Sequence, residues 1–232
     1  MHANEAMAHK FGAQRAAVYD AQSTAYIAGY QAMHELSAAA MTTALAGRDV
    51  ASVLCVGVGT GQDVLPYARY GAPGWRFTGV DPSADMLAVA EKRLAAAGLL
   101  ERTRLLTGHL RDLPPEPLFD GAEMIGVLHH VDEEEDRLAL LREVTRRLKP
   151  GAPCIIGGRV GADPVLQAVE AEVCRANGGS PEVLELRRKA RASLRPPESE
   201  AALFELLGRA GLGSPRLLFA SLDFKAFLTR RD

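Results

Sequence analysis

Cysteine is scarce in this chain, and what there is forms no recognisable pattern. Cys55, Cys154 and Cys174 are an odd number, and none belongs to a C-x-x-C pair. Cys55 and Cys154 lie inside apolar runs that read as buried strands, so reduced core thiols are expected. No apolar run approaches the roughly 20 residues that span a bilayer, which argues against a membrane partner. The opening Met1-His2-Ala3-Asn4-Glu5 has no basic segment leading into an apolar stretch, so a secretory leader is not expected and the location predicted is cytoplasmic. A formal charge of −2 over 232 residues gives no electrostatic reason to expect direct nucleic-acid binding. Internal repeats and low-complexity segments are also lacking. What remains is a chain with 47% hydrophobic residues, enough for one sizeable core.

The middle of the chain alternates short β-rich runs with helical patterns, the mark of a parallel α/β sheet. Strands are expected at Ser52–Val56, Arg76–Val80, Arg104–Leu106, Glu123–Val127 and Pro153–Ile156. Between them, Ala84–Ala97 carries Met86, Leu87, Ala90 and Leu94 on one stripe and ends at Gly98; Glu133–Leu148 stops at Pro150-Gly151. Residues 1–47 read as a helical cap without a strand, and residues 48–232 as the main domain. Helical segments near 164–176, 181–194 and 199–210 form an insertion at about 159–212. An antiparallel pair, Pro215–Ala220 and Phe224–Thr229, closes the chain.

Strand one runs into Gly57-x-Gly59-x-Gly61. Glycine there permits a sharp turn and lets a ligand approach without a Cβ in the way. A dinucleotide pattern places its third glycine further on, to admit a pyrophosphate, so the tighter spacing suits a ligand without phosphates. Asp81 follows Gly61 by 20 residues, at the end of the second strand, where a carboxylate can accept from both ribose hydroxyls. The competing role is an N-cap for the helix at Ala84, which Ser83 can fill instead.

Together, V-L-C-V-G-V-G-T-G-Q-D, V-D-P-S at Val80–Ser83, and F-D-G-A-E-M-I-G-V-L-H-H-V followed by L-R-E-V-T-R-R-L-K-P-G-A resemble class I S-adenosylmethionine-dependent methyltransferases over about residues 50–158. The resemblance implies an α/β, Rossmann-like, seven-stranded and mostly parallel sheet with a C-terminal antiparallel hairpin and helices on both faces. It implies S-adenosyl-L-methionine as cofactor. Gly57, Val58, Gly59 and Gly61 would line its methionine part, Asp81 and Pro82 its ribose, and Met86 its adenine face. His109 and Leu110 would meet the adenine edge, and Gly126 the methionyl amine. The family usually has Gly-Asp where this chain has Gly108-His109, and neutral His accepts through only one ring nitrogen.

The flanks are similar to the carboxy-S-adenosylmethionine synthases, in Ala17-Val18-Tyr19-Asp20, Ala28-Gly29-Tyr30 and Arg175–Gly178. That likeness places Tyr30 on the ligand and Arg188 on a carboxymethyl carboxylate, although Arg188 lies in a basic run (Arg187, Lys189, Arg191, Arg195) whose default is a solvated helix face. The glycine motif and Leu128-His129-His130 instead follow ordinary methyltransferases. Methyl transfer to a small-molecule acceptor is therefore the leading expectation, with Tyr19, Tyr26, Tyr30 and Arg188 as acceptor walls. Synthesis of carboxy-S-adenosylmethionine from prephenate is the alternative, and a non-catalytic binding subunit the third. His130 is the candidate general base, against a purely architectural role for the pair. No metal is expected, since adjacent histidines on a strand extension point apart and no third ligand is evident. A homodimer is a further expectation.

Overall fold

Apolar residues on both faces of the central strands require cover on both sides, and the fold supplies it. The computed structural model describes residues 11–232. The Met1–Glu5 reading and the first ten residues of the expected cap lie outside the described residues. Two helices come first, α1 (Ala13–Tyr26) and α2 (Tyr30–Ala44). Then follow β1 (Ser52–Val56), the short α3 (Tyr67–Tyr70), β2 (Arg76–Asp81), α4 (Ala84–Ala96), β3 (Thr103–Thr107), β4 (Gly121–Ile125), α5 (Glu134–Arg146) and β5 (Pro153–Arg159). Three helices, α6 (Pro164–Ala176), α7 (Pro181–Ala192) and α8 (Glu200–Arg209), precede the closing strands β6 (Leu212–Ser221) and β7 (Phe224–Arg231).

The seven strands pair in the order β3-β2-β1-β4-β5-β7-β6. β1 to β5 are parallel, and β7 runs antiparallel to both β5 and β6. This is the mostly parallel sheet with a C-terminal antiparallel hairpin expected from the sequence. Alternation along the strands divides the core. Val53, Cys55 and Ile155 pack on one face with Met33 and Met41 of α2 and Leu87 and Leu94 of α4. Leu54, Val56, Cys154 and Ile156 pack on the other with Leu138 and Leu141 of α5 and Leu203 and Leu207 of α8. All three cysteines are buried and free, as expected.

One strand shifts from its expected place. β4 spans Gly121–Ile125, two residues earlier than read, because Gly126 turns the chain at φ +81°. Leu128–His130 is consequently a 3-10 turn rather than a strand extension, and the two histidine rings lie 4.5 Å apart instead of pointing to opposite sides. The strand order reverses between β1 and β4, so the crevice beyond their C-terminal ends is the place where open α/β sheets bind ligands.

Candidate functional site

The turn after β1 is built for close approach. Gly57 has φ +69°, and a Cβ on it would run into Val127 Cγ2. A Cβ on Gly59 would meet Met86 Cε at 3.2 Å. Gly126, at the end of β4, has φ +81° with nothing within 4 Å of where a Cβ would stand, so its free side faces open space.

Asp81 ends β2 and holds this turn from below. Its Oδ2 accepts from the Gly59 amide at 2.9 Å and its Oδ1 from the Ser83 amide at 2.8 Å. Ser83 Oγ accepts from Met86 N at 3.2 Å and so caps α4, which leaves Asp81 without the capping role. Burial pushes the Asp81 carboxyl above its ordinary value, against the pull of the two amides. Each carboxylate oxygen keeps a second lone pair, so the group can still accept from a ligand's hydroxyls. Ser83 Oγ also donates to the Phe11 carbonyl at 2.7 Å, which brings the N-terminal segment over this end of the sheet.

A cleft partly open to solvent lies over Gly57, Val58, Gly59 and Gly126. Its other walls come from α1 (Arg15, Tyr19, Tyr26), α2 (Tyr30, His34), the Leu128–His130 turn (His129, His130) and α7 (Arg187). The structure therefore brings Tyr19, Tyr26, Tyr30 and His130 together with the glycine turn. Gly61, Asp81, Pro82, Met86, His109 and Leu110 stand outside the cleft lining: Gly61 against Ala90 and Leu94 of α4, the others around the neighbouring β2 and β3 ends. His109 donates its backbone amide to Asp112 Oδ2 at 2.8 Å, and burial followed by the Arg111 charge lowers its imidazole pKa.

Arg188 is the correction. Its side chain is 71% exposed and pairs with Glu185 at 2.8 Å, whereas Arg187 is only 18% exposed and lines the cleft. The period of α7 explains this: Arg187 and Arg191, four apart, share its inner face, and Arg188 falls on the outer one.

Several residues of the site were not singled out from the sequence. Arg159 of β5, Arg187 and Arg191 of α7, Glu170 of α6 and Asp223 of the β6–β7 turn form a buried ionic cluster beside the cleft. Asp20 of α1 accepts from Thr60 Oγ1 at 2.9 Å and from Arg93 of α4 at 2.5 Å, which latches the first helix to the glycine turn. Under that turn, His34 Nδ1 stands 3.1 Å from Asp63 Oδ1, and Tyr67 donates to Glu123 Oε1 at 2.5 Å. Glu123 is 1% exposed; burial and then the Asp63 charge raise its carboxyl well above the usual range. An acid inside an apolar strand run, as in G-A-E-M-I, is the signal that could have flagged Glu123. Nothing local distinguishes Arg187 from its neighbours without the helix phase.

A glycine turn at the strand-order reversal, with a buried acid at the end of the neighbouring strand, belongs to a Rossmann-like fold. Residues 53–151 match the family described as methyltransferase domain. A demethylmenaquinone methyltransferase of Symbiobacterium thermophilum is 34% identical over 134 residues, covering 57% of this chain and 51% of that protein. The chain thus spans about half the length of that curated relative. An S-adenosylmethionine-dependent methyltransferase structure from Aquifex aeolicus superposes with a TM-score of 0.63 at 17% identity, covering 96% of this chain and all of that one. A Methanococcus maripaludis protein described in the same terms gives 0.64 at 22%, covering 94% and 93%. Residues 53–151 thus match a methyltransferase-domain family, and the two solved structures share the Rossmann-like fold of this chain.

Proposed function

We propose that the protein transfers a methyl group from S-adenosylmethionine to a small-molecule acceptor. The observation that carries this is the glycine cradle opening onto a cleft walled in large part by α1, α2 and α7, elements outside the matched residues 53–151. When bound, S-adenosylmethionine supplies a methyl group activated by its sulfonium. Gly57, Val58, Gly59, Gly61 and Gly126 hold the methionine end; Asp81 and Pro82 hold the ribose, and Met86, His109 and Leu110 flank the adenine. The lack of a Cβ at Gly126 and the second lone pairs of Asp81 fit these roles. Tyr19, Tyr26 and Tyr30 wall the acceptor and exclude water, and burial keeps the Tyr30 phenol protonated by raising its pKa well above the ordinary value. The His130 imidazole faces the cleft and takes a proton from the acceptor through a ring nitrogen. The chain's main task is alignment, since proximity and orientation supply much of the rate in such a transfer.

In this reading the described part of the expected cap, residues 11–47, covers a catalytic domain of residues 48–232, with the 159–212 helices as the acceptor-specific insertion. A cytoplasmic location and a homodimer complete it. No helix among the described residues is long and apolar enough to cross a membrane. The exposed position of Arg188 favours methyl transfer over carboxy-S-adenosylmethionine synthesis, which relied on that residue. The test is release of S-adenosylhomocysteine with a panel of hydroxyl, amine and carboxylate acceptors. Mass addition of one methyl to an acceptor is expected; a carboxymethyl product on the sulfonium would overturn the proposal.

A further inference from the structure

The ionic cluster beside the cleft is short of negative charge. Three guanidinium groups, from Arg159, Arg187 and Arg191, share two carboxylates, Glu170 and Asp223. The acceptor sites of those carboxylates are heavily used. Glu170 Oε1 accepts from Arg159 Nη2 at 3.1 Å and from both Nε and Nη2 of Arg187, at 3.0 and 2.9 Å. Its Oε2 accepts from Arg159 Nη1 at 2.8 Å and Arg191 Nη1 at 2.6 Å. Asp223 divides its two oxygens between Arg159 and Arg191. Burial opposes charge on Glu170, yet the Arg159, Arg187 and Arg191 charges outweigh it and hold the carboxyl low. Burial and the Arg159 charge lower Arg191 in turn.

Arg187 is therefore the least compensated member. Its guanidinium lies 3.2 Å from the Tyr26 ring centroid, and Arg187 and Tyr26 both line the cleft. A second lining cation, Arg15 of α1, stacks at 4.4 Å on the Phe11 ring and has no carboxylate partner among the described residues. The lining acid Asp63 faces His34. A partly buried positive charge with too little negative charge beside it is unfavourable, and a guanidinium fork matches two oxygens of a carboxylate at once.

Resting on the methyltransferase reading, we infer that the acceptor is an organic acid whose carboxylate seats against Arg187 and Arg15, making these two residues the determinants of specificity for an anionic substrate.

The test loads the protein with S-adenosylhomocysteine and titrates matched acid and amide probes by calorimetry: benzoate against benzamide, phenylacetate against phenylacetamide, succinate against succinamide. At least one acid is expected to bind about tenfold or more tightly than its amide. Arg187→Met and Arg15→Met should each remove that preference while leaving S-adenosylhomocysteine affinity within about twofold. Arg15 lies outside the ionic cluster, so its variant carries the test if Arg187→Met does not fold. Acids and amides that bind alike, acids that do not bind at all, or a preference surviving in the Arg15 variant would overturn the inference. So would a carboxylate that binds only when carried on the sulfonium of the cofactor. Failure of the unmodified protein to take up S-adenosylhomocysteine would instead defeat the methyltransferase reading on which the inference stands.

Discussion

Gly57 and Gly126 both sit at positive φ beside the cleft, yet alanine should damage them in different ways. At Gly57 two penalties combine. A side chain at φ +69° costs about 1–2 kcal/mol, and its Cβ collides with Val127 Cγ2 while Val127 Cβ stands 3.7 Å away, an overpacking that costs about 1–3 kcal/mol. The total is about 2–5 kcal/mol, and each kcal/mol lowers Tm by about 2–4 °C in a domain of this size. At Gly126 only the first penalty applies, because nothing stands within 4 Å of the added carbon. That carbon projects into the space assigned to the methionine end of the cofactor. Gly57→Ala should therefore lose stability most. Gly126→Ala should remain within about 2 kcal/mol of the unmodified protein but bind S-adenosylhomocysteine at least about tenfold more weakly. Urea denaturation without ligand and calorimetry with it separate the two quantities. Equal stability losses, or unchanged affinity in Gly126→Ala, would refute the reasoning.

Glu123→Gln should gain on the unmodified protein as pH rises. The folded carboxyl titrates well above its ordinary 4.5, so from pH 4.5 upward the folded state binds the extra proton and stability falls as pH increases through that window. The glutamine variant lacks this slope; denaturation curves between about pH 4 and 8 should diverge, and a constant difference would sink the claim. Asp20→Asn removes the charge that joins α1 to Thr60 and Arg93, and should cost about 1–2 kcal/mol and speed amide exchange in α1. Uniform protection in α1 would contradict the latch. Arg188→Met should leave both ligand affinity and melting temperature unchanged, since the side chain lies on the solvent face of α7; a loss of affinity there would restore the sequence-derived role.

The parallel strands and their helices were legible because each carries a local signature. Apolar runs such as V-L-C-V end at glycine or Asp-Pro, and the stripe of α4 stops at Gly98. The hairpin at the end of the chain and the three helices before it were equally plain. Reading β4 two residues too late was an error of backbone conformation: Gly126 reads as part of an apolar strand until its φ is known. The cleft was half legible. Its glycines form a contiguous motif, whereas its cations come from α1, β5 and α7 and meet only in three dimensions. Choosing Arg188 over Arg187 shows the limit, because neighbouring arginines in a basic run differ only in which side of the helix they occupy, and this is set by packing against Glu170. Glu123 shows another, since its partner Tyr67 lies 56 residues away.

The central claim is that the glycine turn and Asp81 form the cofactor site. Calorimetric titration of the purified protein with S-adenosylhomocysteine tests it most directly, with Asp81→Asn in parallel. Saturable one-to-one binding is predicted, weakened at least about tenfold in Asp81→Asn, whose amide presents only one oxygen to the two backbone donors and the ribose. Absence of saturable binding by the unmodified protein, or equal affinity in the variant, would contradict the account.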